Sequence, residues 1–299
     1  MKKSGLFGVV IAGLLLAGCG ADASGDNGEA SEMRTYDSEV GEVEVPADPQ
    51  RIVALTNAPN VLALEGNIVG VDEWTGNNPL FSEKLEGIER VSETNVEAIL
   101  ELEPDLIIAG SHMQNLDMLE EVAPTVVYTW GQLDYLDQQV EIGKLLNKEQ
   151  EAMDWREDFE TRAQEVGEQI KAEIGEDTTV SVIENGDKEM YVFGDNYARG
   201  TEILYQAMGL AMPEKVEELA LESGIHVFSQ ETLPEVAGDY IVLSLPSSVD
   251  NSFTETETWN SIPAVQNAQV IEIATEASTY SDPITLDHLL ETFEEGFLH

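Results

Sequence analysis

The 299-residue sequence contains one cysteine, Cys19, so no intrachain disulfide can form. Basic residues are also scarce: 14 lysines and arginines stand against 59 aspartates and glutamates, a formal net charge of -45. Because nucleic-acid binding requires a basic surface, this imbalance excludes nucleic acid as a partner. After Cys19, no apolar run approaches the ~20 residues of a membrane-spanning helix.

Motifs for catalysis and direct metal binding are also missing from the sequence. It has no Gly-x-Ser-x-Gly elbow, no Walker phosphate loop and no Gly-x-Gly-x-x-Gly. The four histidines lack the paired spacing of a metal site; they are His112, His226, His288 and His299. We therefore predict a binding protein without enzymatic activity, without an intrinsic cofactor and without direct metal ligands.

The N-terminus has the pattern of an exported protein. Lys2 and Lys3 precede an apolar run from Leu6 to Leu16, which ends in Leu-Ala-Gly-Cys at Cys19. This pattern predicts a signal peptide over residues 1–18 and resembles the lipobox of bacterial lipoproteins. The resemblance implies cleavage before Cys19, a lipid of the palmitate type on that cysteine, and anchoring at the extracellular face of the cell membrane.

Residues 19–42 are rich in Gly, Ala, Ser, Asp and Glu, and we predict a flexible acidic tether there. The acidity of the whole chain is typical of exported proteins from a saline or alkaline habitat. A specific basic partner is the alternative explanation, since a like-charge excess destabilises the compact state unless salt screens it.

From residue 43 onward, short apolar runs alternate with helical patterns. Arg51–Leu55, Ile68–Val71 and Asp105–Gly110 are predicted strands, with helices between them. A second series of this kind follows residue 175. Such alternation is typical of α/β architecture with mostly parallel sheets.

The two series are separated by residues 148–174, which contain no proline and many long polar side chains. This segment predicts one helix of roughly 39 Å at 1.5 Å per residue. We therefore expect an N-terminal lobe over residues 43–147, a connecting helix over 148–174 and a C-terminal lobe over 175–299.

Several segments, in this order, resemble class III substrate-binding lipoproteins of ABC importers. They are Val45–Leu55, Asn95–Ile108 (with Glu-Pro-Asp-Leu-Ile-Ile), Trp259–Val265 and Asp282–Leu290. The family takes up ferric siderophores, haem and cobalamin. The resemblance implies two α/β lobes joined by a single long helix, with the ligand cleft between the lobes.

The segment from Tyr191 to Gly200 resembles the Gly-Asp-Asn-aromatic-Gly-Arg-Gly pattern of the iron-hydroxamate branch, known from Gram-positive bacteria. It implies that Tyr197 and Arg199 contact the ferric complex, and Tyr191 of the same segment is a further candidate ligand-binding residue. Arginine also suits this role chemically, because its guanidinium offers five donors to the oxygens of a chelate. The alternative is a surface ion pair of Arg199 with Glu202 or Asp195.

Tyr280 precedes Asp-Pro in a late loop where the family places an aromatic facing the cleft; packing on its own lobe is the alternative. From the N-terminal lobe, Trp74, His112 and Trp130 follow predicted strands and are candidates for the opposite wall, though packing at the rim explains them equally well.

Glu97 and Glu231 each lie in a helical segment before an Asp-led apolar strand. The resemblance implies that these glutamates dock, one per lobe, onto arginines of the permease dimer that works with the importer's ATPase. The alternative is two solvated surface carboxylates.

Together these features predict a monomeric, lipid-anchored receptor for a ferric siderophore, preferably of the hydroxamate type. A catecholate or citrate chelate would require more basic residues, such as Lys84 and Arg90 beside Arg199. Cobalamin, haem and, from another class, an extracellular hydrolase remain the alternatives.

Overall fold

The structure is a computed structural model that describes residues 32–186 and 188–299. The predicted signal peptide and Cys19 lie outside the described residues. In the described part of the chain, no helix combines the length and the apolar character needed to cross a membrane.

The described part of the chain begins with a β-hairpin of strands β1 (Met33–Ser38) and β2 (Gly41–Pro46). Tyr36 and Val45 are buried against the N-lobe core. The Tyr36 hydroxyl donates to Glu141 Oε1 at 2.6 Å and lies 2.9 Å from the Tyr128 hydroxyl. The predicted tether over residues 19–42 is therefore wrong for its last ten residues, because alternating side chains of the hairpin are buried in the lobe.

The N-lobe is built on a parallel sheet with the strand order β5-β4-β3-β6-β7. Buried aliphatic residues of β3 and β6 fill its centre, as expected for strands covered on both faces. The strands are β3 (Ile52–Ala54), β4 (Ile68–Val71), β5 (Glu89–Arg90), β6 (Leu106–Gly110) and β7 (Thr125–Tyr128). The helices are α1 (Ala58–Ala63), α2 (Glu73–Gly76), α3 (Val96–Glu101), α4 (Leu116–Glu120) and α5 (Tyr135–Leu145).

The connecting helix α6 runs from Glu149 to Ile174, one residue inside the predicted start. Its buried stripe begins with Ala152 in the N-lobe core and continues with Phe159, Ala163 and Ile170 in the C-lobe core. These positions recur at helical spacing, so one face of α6 packs into both lobes. The helix thus carries the chain from the N-lobe core to the C-lobe core.

The C-lobe sheet has the order β10-β9-β8-β11-β12, in which β8, β11 and β12 run parallel and β9 runs antiparallel to both of its neighbours, β8 and β10. The strands are β8 (Val180–Asn185), β9 (Met190–Phe193), β10 (Ile225–Phe228), β11 (Tyr240–Leu245) and β12 (Val270–Ala274). The helices are α7 (Glu214–Ala220), α8 (Leu233–Val236), α9 (Glu257–Asn260), α10 (Pro263–Gln266) and α11 (Pro283–Leu298).

After β9, the chain forms a π-helix at Glu202–Ala207. Wider helices of this type often occur at functional sites.

Helix α11 packs against the connecting helix: Asp287 of α11 accepts hydrogen bonds from Arg162 at 2.6 Å and from Trp155 at 3.3 Å, both on α6. The two-lobed α/β architecture with one connecting helix is therefore confirmed.

Candidate functional site: the cleft between the lobes

A cleft of about 950 Å³ lies between the lobes and is lined by both of them. Its walls come from loops that follow the carboxyl ends of strands β3, β6, β7, β9 and β12, and from α1 and α5. Ligands of open α/β sheets bind beyond the carboxyl ends of the parallel strands, which here are β3, β6, β7 and β12; β9 runs antiparallel within its sheet and contributes the loop that follows it as well. The fold therefore places the predicted ligand site where a small molecule can enter from solvent.

The loop after β9 holds three successive residues in the left-handed region: Ala198 (φ 58°), Arg199 (φ 55°) and Gly200 (φ 77°). At Gly200 a side chain is also excluded sterically, because a Cβ atom would lie 2.4 Å from the ring of Phe293. Two backbone contacts fix the loop: Ala198 N donates to Glu202 Oε1 at 3.0 Å, and Arg199 N donates to the Ser278 carbonyl at 2.7 Å. Such strain, held by surrounding contacts, is typical of binding loops.

Arg199 lines the cleft and is paired with Glu184 of β8. The guanidinium donates through Nε at 2.9 Å and through Nη2 at 3.1 Å to the two carboxylate oxygens, and the side chains are only 16% and 10% exposed. Ser244 also donates to Glu184, at 2.8 Å, and the guanidinium carbon lies 5.0 Å from the ring centre of Phe193. Arg199 therefore pairs with Glu184 rather than with Glu202 or Asp195. Its Nη1 takes no part in this pair and can donate a hydrogen bond to another group.

Tyr197 and Trp130 form an aromatic pair across the cleft. Tyr197 stacks on Phe193 at 5.7 Å between ring centres, and Trp130 meets it edge-on at 6.0 Å. A Cβ atom at Gly224 would lie 2.7 Å from the Tyr197 ring, so a glycine there permits the ring's position. Trp130 is 81% exposed on its loop after β7. The pair offers apolar walls to a ligand from both lobes.

Tyr280 lines the cleft and packs against the opposite lobe rather than its own. Its ring lies 5.8 Å from that of Phe81, and its hydroxyl is 3.0 Å from Thr75 Oγ1, both in the N-lobe. Burial raises the pKa of its hydroxyl well above the ordinary value for tyrosine. Tyr280 is thus a cleft residue and an interlobe contact at once.

We expect Tyr280→Ala to lower the free energy of unfolding by about 2–4 kcal/mol, because it removes a mostly buried ring from between the lobes. Tyr280→Phe should cost only about 1 kcal/mol, since it loses the hydrogen bond to Thr75 and keeps the packing. Chemical denaturation of both variants measures the difference. If both variants lost the same free energy of unfolding, the hydroxyl rather than the ring of Tyr280 would be the group that stabilises the loop.

Two buried carboxylates organise the C-lobe wall. Glu202 accepts from Ala198 N and from Ser281 Oγ, each at 3.0 Å, so it joins the two loops that carry Arg199 and Tyr280. Asp282 caps α11 through Ile284 N at 2.9 Å. Burial raises the pKa of the Glu202 carboxyl, and it raises that of Asp282 to about 6. Through these contacts, Glu202 and Asp282 hold the loops that form the C-lobe wall in place.

Of the other predicted residues, His112 and Trp130 line the cleft, and Trp74 and Tyr191 do not. Trp74 is 72% exposed on α2, and Tyr191 packs at the C-lobe core. Lys84 and Arg90 are also outside the lining; Arg90 donates to the Gly76 carbonyl and to Asn77, each at 2.7 Å.

Sequence reasoning missed the contribution of α1 and α5 to the cleft. Asn60 and Gln138 line it, and the Asn60 amide donates to Gln139 at 2.9 Å between the two helices. Asn60 is buried inside an otherwise apolar helix, and that placement was the signal that could have identified it.

Among the described residues, histidine, cysteine and carboxylate side chains form no group that could hold a metal ion. The chemistry of the cleft is therefore that of aromatic faces, one guanidinium, amides and carboxylates. This set suits recognition of an organic ligand with oxygen acceptors on its surface.

Glu97 and Glu231 are exposed at matching places in the two lobes. Glu97 lies on α3, before Asp105 and β6; Glu231 lies before α8, Asp239 and β11. The match extends to contacts: Asp105 accepts from Arg51 N at 2.9 Å beside β3, and Asp239 accepts from Thr179 N at 2.9 Å beside β8.

Comparison with known proteins agrees with this geometry. An iron(3+)-hydroxamate-binding protein of Bacillus subtilis, YxeB, is 33% identical over 267 residues, which cover 86% of this chain and 83% of that protein. The structure of FhuD2 from Staphylococcus aureus with bound ferrioxamine B superimposes with a TM-score of 0.79 at 32% identity, covering 84% of this chain and 98% of that one. The FhuD protein from S. pseudintermedius gives a TM-score of 0.80 at 32% identity, covering 90% and 99%.

The chain also matches a model of a whole protein family. Residues 53–277 match the family described as periplasmic binding protein, a span that includes the cleft loops up to Ala277 and the whole connecting helix. With the two-lobed fold and the shared coverage of its relatives, the chain belongs to the periplasmic binding protein family.

Proposed function

We propose that this protein captures a ferric siderophore of the hydroxamate class and delivers it to an ABC importer. The observation that carries the proposal is the convergence of Tyr197, Arg199 and Tyr280 from one lobe with Trp130 from the other in a single cleft. The names of the similar proteins, which refer to iron(3+)-hydroxamate and ferrioxamine B, support the same ligand class.

The chemistry of the cleft fits such a chelate as cargo. Iron(III) held by three hydroxamates presents six oxygens and leaves no coordination position for the protein. Arg199 can donate to one of these oxygens through Nη1, because Glu184 occupies Nε and Nη2. The rings of Tyr197 and Trp130 offer apolar surface against which the linkers of the chelate can pack. The protein therefore holds the ligand without chemical change and acts as a receptor rather than an enzyme.

A fluorescence titration with a ferric trihydroxamate tests the proposal. Because Trp130 is exposed beside Tyr197, a bound ferric complex should quench tryptophan emission. Trp130→Phe should reduce the quench, and an iron-free siderophore is the control for binding of the organic part alone. Saturation by a ferric catecholate, ferric citrate, haem or cobalamin, with no response to any ferric trihydroxamate, would contradict the ligand class.

Delivery to the importer relies on the two exposed glutamates. We propose that Glu97 and Glu231 dock onto basic residues of the permease dimer, which the importer's ATPase drives. Their matched placement before Asp105 and Asp239 gives one acidic contact per lobe. A monomer can thus present both lobes to a two-fold permease at the same time.

The lipid anchor at Cys19 is part of the proposal. We expect Cys19→Ser to release the protein from the cell membrane, because serine cannot form the thioether to diacylglycerol. Stable anchoring takes more than one acyl chain, each methylene contributing ~0.8 kcal/mol. Fractionation of cells followed by immunoblotting measures the change, and purified variant protein should bind ligand as the wild type does. Retention of the variant in the membrane fraction would rule out this anchor.

A further inference from the structure

The charges that line the cleft are unbalanced. Among its described lining residues, the carboxylates are Asp134, Glu202, Glu222 and Asp282, and the groups that can carry positive charge are Arg199 and His112. Asp134 belongs to the N-lobe wall and Glu222 to the C-lobe wall, and both are exposed. A ligand in the cleft therefore lies between carboxylates from both sides.

Arg199, the permanently charged cation of the lining, is already neutralised. Arg199 forms a two-point ion pair with Glu184 directly behind the wall, so the pair adds no net charge to the site. Outside the lining, Arg90 is engaged with Gly76 and Asn77 and does not compensate the carboxylates. Arg199 thus contributes hydrogen-bond donors, while the sign of the local field is set by acidic side chains.

The surrounding protein reinforces this field. The whole chain has a formal net charge of -45, and a cleft with low-dielectric walls focuses the field of its lining charges. At low ionic strength, one added charge on a ligand about 4–6 Å from a lining carboxylate changes affinity by about threefold to tenfold. A cationic complex therefore gains affinity from this field, and an anionic complex loses affinity.

We propose that the cleft discriminates among ferric siderophores by charge. It selects cationic trihydroxamate complexes, such as linear ones with a protonated terminal amine, over neutral and anionic chelates, and Asp134 and Glu222 set this preference. Asp134 uses Oδ1 to cap α5, which leaves Oδ2 for other contacts, whereas Glu202 and Asp282 are engaged in holding loops. This inference rests on the proposed function and deepens it.

The test compares two probes with the same iron coordination. One is a ferric linear trihydroxamate with a free terminal amine, and the other is its N-acetylated form, which lacks the positive charge. We expect the wild type to bind the amine form about threefold to tenfold more tightly at low salt. The preference should approach unity in 1 M salt, where the Debye length falls to about 3 Å.

A matched pair of variants locates the source of the preference. Asp134→Asn with Glu222→Gln should at least halve it, and asparagine still caps α5. Glu120→Gln with Glu173→Gln removes the same charge from exposed sites outside the lining and should leave it unchanged.

The outcomes separate this inference from the function on which it rests. Equal affinity of the wild type for both probes at low salt would overturn the charge preference while the receptor function stands. An equal preference in the cleft and control variants would overturn the role of Asp134 and Glu222. Failure of both probes to bind would instead contradict the proposed function.

Discussion

Arg199→Ala should destabilise the ligand-free protein by about 3–5 kcal/mol, as expected when one partner of a largely buried ion pair is removed. The reason is Glu184, which would keep Ser244 as a donor but lose both contacts to the guanidinium. Chemical denaturation of the ligand-free variant measures the loss. The same variant should bind a ferric trihydroxamate roughly 10- to 100-fold more weakly, since a charge-assisted hydrogen bond contributes ~1.5–3 kcal/mol.

A second variant separates the two effects. Arg199→Ala combined with Glu184→Gln removes the isolated buried charge and leaves an amide that can still accept from Ser244. We expect it to regain at least half of the lost stability without regaining affinity. An Arg199→Ala protein as stable as the wild type would show that the ion pair with Glu184 does not form in solution.

Reversing the charge of Glu97 and Glu231, the proposed docking residues, should abolish iron uptake while leaving ligand binding intact. Glu97→Arg with Glu231→Arg would place like charges against a basic permease surface, and such contacts cost several kcal/mol. Both side chains are exposed and outside the cleft lining, so affinity measured on purified protein should not change. The measurement pairs a titration of purified protein with a cellular uptake assay.

The control variant carries the same change in charge at other exposed sites, Glu120→Arg with Glu272→Arg. It should support normal uptake if docking depends on position rather than on total charge. Normal uptake by the Glu97/Glu231 variant would remove the docking role. Loss of ligand binding in that variant would assign these glutamates to the cleft.

The sequence contained most of the architecture because its signals were local. Helix α6 was predicted within one residue of its start at Glu149, since the segment lacks proline and is rich in residues of high helix propensity such as Glu, Gln, Ala, Lys and Arg. The alternation of strands and helices followed from periodicity in the same way. The hairpin at residues 33–46 was missed because its buried residues, such as Tyr36 and Val45, are few among acidic ones.

The candidate site depended on contacts that no local pattern contains. Glu184 lies on β8, 15 residues before Arg199, and only the folded sheet brings the two side chains together. Likewise, Tyr280 packs against Phe81 of the other lobe, and Asn60 and Gln138 reach the cleft from separate helices. A motif predicted which loops face the cleft, but the partners of each side chain are a property of the tertiary structure.

The hairpin also determines how the protein should be produced for these experiments. A recombinant form that begins at residue 43 would lack Arg34, which donates to the carbonyls of Lys144 and Leu145 at 2.6 Å each and so closes the end of α5. It would also leave Glu141 and the buried Tyr128 hydroxyl without Tyr36. A soluble form that retains every residue from 32 onward preserves these contacts, and its N-terminal boundary decides whether measured affinities describe the native lobe.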